Sequence, residues 1–321
     1  MVGWLGRTWE GLRRGFKPRE VEEPVDYYWH RPLASLLVRW LATTRITPNQ
    51  VTYASGVASA LSGLALMAAA WVERSLAVLG AALLLVSIVL DCADGQLARI
   101  RGSSSPLGRI LDGAMDAVAP LFVFHGLGFF LVAQGWGYGL VWPIGWAAAG
   151  SLIWHASVYD ASKNVWLHAT RPDFSLGGST LLAPEDMRRF EQEFAARGER
   201  WHAALMRLWA RWTRPQLATL APWLEGDRRP RDERERALFR ACFGRAMAVL
   251  TWLGFGTHLF LLTVAALLAP LEPRAIWAAW LLMLGPMNLL CAWVVLGRAR
   301  RERAYDAALA ALRGPAPSPR R

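Results

Sequence analysis

The sequence predicts an all-α polytopic membrane protein: six transmembrane helices preceded by an amphipathic helix at the membrane interface. Three observations carry this. The 321 residues are 54% hydrophobic with 18 Trp, yet the net charge is +11, a combination that suits apolar spans joined by basic loops. Windows of about 20 apolar residues recur near 50–72, 76–98, 109–133, 138–159, 244–270 and 275–297. Finally, the basic residues alternate from side to side. Only Arg74 and Arg274 fall in the turns after the first and fifth spans, and QGWGYG after the third has none. Cytoplasmic loops retain Lys and Arg, so both termini are expected in the cytoplasm of a multi-pass cell-membrane protein. A buried helical core of a soluble protein is the competing reading, and it leaves the charge alternation unexplained.

Residues 1–48 read as a cytoplasmic N-terminal segment. Within it, RPLASLLVRWLATTR places Leu33, Leu36, Leu37, Trp40 and Leu41 at helical spacing, with Arg31, Arg39 and Arg45 at or near the polar side, the pattern of a helix lying in the interface. Thr47 is placed to cap a helix that starts at Pro48. Residues 49–159 hold the first four spans. Trp71, Trp136 and Trp142 are expected as outer interfacial anchors and Trp29 and Trp40 as inner ones. No cleavable leader is expected, because the first forty residues lack an apolar core of that kind. Cys92, Cys242 and Cys291 suggest neither a disulfide frame nor a metal spacing.

Residues 160–243 read as a basic cytoplasmic helical insertion. Met187, Phe190, Phe194, Trp201, Leu205, Leu208 and Trp212 recur at helical intervals, with a break at Gly198. This stripe is expected to rest on lipid headgroups, the alternative being a helical cap packed on the ends of the spans. GDRRPRDERERA reads as a linker or helix start, SLGGST (175–180) as a loop, residues 244–297 as the last two spans, and 298–321 as a tail. His155, His258 and Asn288 lie inside spans as expected interhelical hydrogen bonders.

Chemistry concentrates in DCADGQLARIRGSSSPLGRILDGAMD, Asp91 to Asp116. Asp91 and Asp94 are three apart at the end of the second span; Asp112 and Asp116 are four apart at the start of the third. Both spacings put a pair on one helical face, and the turn between the spans lets the pairs face each other. Four carboxylates near hydrocarbon need compensation. Hard oxygen ligands select Mg²⁺, Mn²⁺ or Ca²⁺ over zinc, and a pair of divalent cations, expected as Mg²⁺ or Mn²⁺, suits phosphoryl transfer. Gly95 lets a phosphate approach the backbone, Ala98 keeps the neighbouring face clear, Arg99 supplies a guanidinium for a diphosphate, and Gly108 removes a further side chain.

These residues match the pattern D-x2-D-G-x2-A-R-x8-G-x3-D-x3-D, and the segment resembles the CDP-alcohol phosphotransferase family. TPNQVT, Thr47 to Thr52, also resembles that family's lead-in to its first span. The resemblance implies a membrane enzyme of phospholipid biosynthesis, usually a homodimer, that moves a substituted phosphate from a CDP-alcohol donor to a hydroxyl acceptor and releases CMP. It assigns Asp91, Asp94, Asp112 and Asp116 to metal, the general-base role to Asp116, and nucleotide contact to Gly95, Ala98, Arg99 and Gly108, with Asn49 and Thr52 near the nucleotide. Ser105 either joins them or serves the turn before Pro106. Ala117 stands where many members that take polar acceptors have Arg, while SSSPLG resembles the choline and ethanolamine phosphotransferases, which deliver a small CDP-amino alcohol's phosphate to a lipid. A CDP-diacylglycerol donor with a small polar acceptor is the alternative. Asp160, Lys163 and Asn164 either bind an acceptor or sit among headgroups. The expected partners are the two substrates and membrane lipids, with no nucleic acid. An ion transporter, the reading from outside this class, would place its aspartates mid-span, and a prenyl transferase would lack the fixed Gly and Arg.

Overall fold

The computed structural model describes residues 16–103, 106–172, 184–220 and 229–313. Ser105, SLGGST, the start of GDRRPRDERERA and the residues after Arg313 lie outside the described residues, as do the side chains of Pro106, Ala117 and Trp212. Every regular element described is helical, and the protein is an all-α polytopic membrane protein.

The interfacial helix α1 (Arg31–Leu41) leads through a short connection to α2 (Pro48–Trp71). Thr47 caps α2 as expected: its hydroxyl accepts from Gln50 N at 3.3 Å, and the Gln50 side chain accepts from Thr47 N at 2.9 Å, a reciprocal box that satisfies two otherwise orphaned donors. α1 exposes Leu33, Leu36 and Trp40, the side suited to lipid, and buries Ala34, Val38 and Leu41 against Cys92, Ala93 and Leu97. Arg31 departs from the expected polar side. It is buried and ion-paired with Glu22 at 2.7 Å, because Glu22 folds back beneath α1 and offers a partner that periodicity does not reveal.

α3 (Leu76–Arg101) and α4 (Pro106–Ala133) pack on either side of α2. The buried face of α2 is almost wholly small: Thr52, Ser55, Gly56, Ala58, Ser59, Ser62 and Gly63. Small residues let helix backbones approach within a membrane, and hydroxyls join them there. Ser62 Oγ donates to Gly80 O at 2.7 Å and Ser55 Oγ to Ser87 O at 3.0 Å. A Cβ on Gly63 would lie 2.3 Å from Phe122 O, and one on Gly126 2.5 Å from Gly63 O, so α2 and α4 touch backbone to backbone.

α5 (Tyr138–Thr170) is one 33-residue helix that continues past the expected fourth span. It is followed by α6 (Pro184–Ala196), α7 (Arg200–Leu220), α8 (Glu233–Leu250), α9 (Phe255–Leu268), α10 (Arg274–Leu282), α11 (Asn288–Leu296) and α12 (Arg298–Arg313). Gly198 breaks α6 from α7 at a φ of 77°. Six spans were expected; five helical stretches among the described residues are long and apolar enough to cross. α5 falls outside that set although its length suffices, because Trp, Gly and Pro dilute the apolar character of its first half. The expected fifth span is two helices, α8 and α9, separated by the turn at Thr251–Gly254, and the sixth is bent through a π-helical turn, Met283–Met287, that contains Pro286.

His155, His258 and Asn288 form the interhelical network expected of them. His155 Nδ1 and His258 Nε2 share a hydrogen bond at 3.0 Å, and His155 Nε2 meets Asn288 Oδ1 at 3.0 Å. The amphipathic stripe of α6 and α7 packs on protein rather than lying free for lipid headgroups: Met187 and Met206 bury against Ile110 of α4 and Ala161 of α5. Trp201 and Leu208 stay exposed.

Candidate active site

Asp91 sits late on α3, and Asp112 and Asp116 lie one turn apart early on α4. Each offers a carboxylate oxygen, and these oxygens all lie within 4.8 Å of one another. The two helices position them for the reason the spacing suggested: i and i+4 on α4 share a face, and α2 holds that face against α3. Asp94 does not belong to this triad. It is buried, and the hydroxyl of Thr52, the residue expected near the nucleotide, donates to its Oδ2.

The other expected residues lie around the same helix ends. A Cβ on Gly95 would come 3.3 Å from Nη1 of Arg99, so the glycine leaves room for the guanidinium to lie back along α3. Ala98 and Gly108 are half-buried, and Asn49 is half-buried in the first turn of α2. Arg101, beside this set, donates to Leu41 O and Thr44 O at 2.8 Å each, fixing the α1–α2 connection to the end of α3.

Asp91, Asp112 and Asp116 border a cavity of about 620 Å³. Its walls include residues that sequence reasoning passed over: Lys17, Glu23, Asp26, Tyr159 and Trp209. Glu23 accepts from Thr257 N at 2.8 Å and Thr257 Oγ1 at 2.9 Å, capping α9 from the far end of the chain. Burial, with the nearby Asp26 charge adding to it, pushes the Glu23 carboxyl up to about 8. Asp26 moves the other way despite burial, because it shares a 2.8 Å hydrogen bond with His30 and lies near Arg31. Tyr159 OH donates to Val21 O at 2.6 Å, pinning the same N-terminal segment. Asp160 and Lys163 are ion-paired, and Asn164 Nδ2 donates to Asp160 O at 2.8 Å. No periodic pattern marks EVEEPVD as part of a site; only its fold against α5 and α9 does.

Three hard carboxylates within mutual reach fit a divalent cation such as Mg²⁺ or Mn²⁺ and are a poor match for a soft metal. Residues 45–173, which hold Asp91, Asp94, Asp112 and Asp116, match the CDP-alcohol phosphatidyltransferase family. That stretch is similar to a CDP-alcohol phosphatidyltransferase domain. The chain is similar to a bifunctional IPC transferase and DIPP synthase of Rubrobacter xylanophilus, 34% identical over 46% of this chain and 31% of that protein. It is also similar to cholinephosphotransferase 1 of Gallus gallus, 34% identical over 34% of this chain and 32% of that protein. Archaetidylinositol phosphate synthase of Aeropyrum pernix is 33% identical over 29% of this chain and 44% of its own length. The chain spans less than half the length of each of these relatives. α6 to α12 lie beyond the region that matches the family.

Proposed function

We propose that the protein transfers a substituted phosphate from a CDP-alcohol to a hydroxyl acceptor with release of CMP, as a transferase of phospholipid biosynthesis. The single observation that carries this is the convergence of Asp91, Asp112 and Asp116 within the motif that also supplies Gly95, Ala98, Arg99 and Gly108. Asp91, Asp112 and Asp116 would hold divalent cation, with Asp94 completing the acidic set from its Thr52-bonded position. Such cations, when bound, would supply positive charge that offsets the negative charge of the diphosphate.

This chain's own groups do the rest. Arg99 draws on the diphosphate with a delocalised cation, while Gly95, Ala98 and Gly108 keep the helix surfaces low enough for the nucleotide, and Asn49 and Thr52 border it. Asp116 accepts the proton of the acceptor hydroxyl. The freed oxygen attacks the β-phosphorus, the bond from that phosphorus to the bridging oxygen breaks, and CMP leaves with the electron pair. The preferred substrate pair is a small CDP-amino alcohol and a lipid alcohol; a CDP-diacylglycerol donor with a polar acceptor is the alternative. The basic loops favour a cell-membrane enzyme with termini and site in the cytoplasm, working as a homodimer.

The test is CMP release by purified protein with panels of CDP-alcohols and acceptors, in Mg²⁺ and in EDTA. Turnover is expected only with divalent cation. Asp116→Asn should lower it by about 10²–10⁴-fold, the usual contribution of a positioned base, while CDP-alcohol binding persists. Full activity in that variant would remove Asp116 as the base.

A further inference from the structure

None of the residues assigned to the nucleotide, Asn49, Thr52, Gly95, Ala98, Arg99 or Gly108, borders the 620 Å³ cavity, although Asp91, Asp112 and Asp116 do. The cavity therefore reaches the carboxylates without the residues assigned to the nucleotide, and it offers room for the part of a substrate that is not nucleotide. Its lining mixes two kinds of residue: polar ones such as Lys17, Asp26, Asp160 and Lys163, and apolar ones that include Leu205, Leu208 and Trp209 of α7, Leu152 of α5 and Leu259 of α9.

The apolar lining from α7 is fitted to the site. Gly113 follows Asp112 directly, and a Cβ there would lie 2.1 Å from Cη2 of Trp209. The missing side chain thus leaves room for the indole against α4, one residue along the chain from Asp112, and both residues line the same cavity. α7 is held in this place by Met206, which buries with Ile110 of α4 and Ala161 of α5. All of α7 lies outside residues 45–173, the region that matches the family.

From this we infer that α7 is the wall against which the hydrocarbon of the lipid substrate lies, with Trp209 as a positioning residue for it. This rests on the phosphotransferase reading above. A chain leaving a bilayer gains little by hydrophobic transfer alone, since lipid tails are already an apolar solvent. The wall acts through contact and orientation, holding the lipid's reacting end against Asp112 and Asp116. A lipid alcohol acting as acceptor and a CDP-lipid acting as donor would present the same hydrocarbon, so each needs its own arm in the experiment.

One arm pairs a short CDP-amino alcohol with dioctanoylglycerol, and the other pairs CDP-dioctanoylglycerol with small polar alcohols. In the arm that turns over, Trp209→Ala is expected to raise KM for the lipid about tenfold, the loss of one good aromatic contact, and to leave KM for the small substrate within about twofold. Gly113→Ala should show the same lipid-side defect, and Gly113→Ala with Trp209→Ala should be no worse than Trp209→Ala alone. A diazirine-bearing dioctanoylglycerol should also label α7 in the wild-type protein, with or without turnover. CMP release with an unlabelled α7, or an unchanged lipid KM in Trp209→Ala, overturns the inference and leaves the reaction standing. A labelled α7 in a protein that releases no CMP keeps the wall and overturns the reaction.

Discussion

Asp94 shows how one residue's role depends on a neighbour forty-two positions away. Its carboxylate is buried between α2 and α3, where an acceptor without donors would cost about 1–3 kcal/mol, and the Thr52 hydroxyl meets that need. Thr52→Val keeps the shape and removes the donor. We expect this variant to lose about 1–2 kcal/mol of stability, read as a lower thermal midpoint in detergent, and to need more Mg²⁺ for half-maximal turnover. A variant with wild-type midpoint and Mg²⁺ dependence would mean that the hydroxyl serves neither purpose.

At the level of elements, α2 and α4 meet through Gly63 and Gly126 with no side chain between them. Gly63→Ala places a carbon against the Phe122 carbonyl, which α4 can relieve only by moving. Overpacking of this kind costs about 1–3 kcal/mol. Because α4 carries Asp112 and Asp116 against Asp91 of α3, a shift of about 1 Å costs on the order of 10²-fold in rate. Turnover should therefore fall further than the lost stability accounts for, and an unaffected kcat would show that the triad does not depend on this contact. Glu23 joins another pair of elements by capping α9 from the N-terminal segment. The folded carboxyl keeps its proton up to about 8, whereas the unfolded one releases it near 4.5. The folded state thus binds more protons between those values, and stability falls as pH rises through that window. Glu23→Gln, which cannot ionise, should flatten the dependence of the thermal midpoint on pH between about 5 and 8. An equal slope in both proteins would assign the effect to another group.

At the scale of the molecule, one polar network ties α5, α9 and α11 together through His155, His258 and Asn288, with Asn288 Nδ2 also donating to Ser151 Oγ at 2.9 Å. Hydrogen bonds between membrane helices contribute about 0.6 kcal/mol each on average. Asn288→Leu breaks two such links and leaves the His155 nitrogen without its partner, so a loss of about 1–2 kcal/mol is expected. None of His155, His258 and Asn288 lines the carboxylate cavity, so kcat of the folded protein should stay within about twofold. A large drop in kcat with an unchanged midpoint would instead connect this network to the reaction.

Sequence alone determined the helical class, the apolar stretches, the Thr47 cap, the break at Gly198 and the pairing of Asp91 with Asp112 and Asp116. All of these rest on local spacing: periodicity fixes a helical face, and a short turn fixes which faces can meet. Only the tertiary structure decided that Asp94 is bonded to Thr52, that Arg31 is buried with Glu22, that Glu23 caps α9, and that Trp209 stands against Gly113. Each of those joins residues far apart in the chain, where partner choice depends on how whole helices dock, and neither composition nor period carries that information. The apolar stripe of α6 and α7 illustrates the boundary. Its spacing announces a surface that must be covered, but lipid and protein cover an apolar surface equally well, and it took the packing on Ile110 and Ala161 to decide between them.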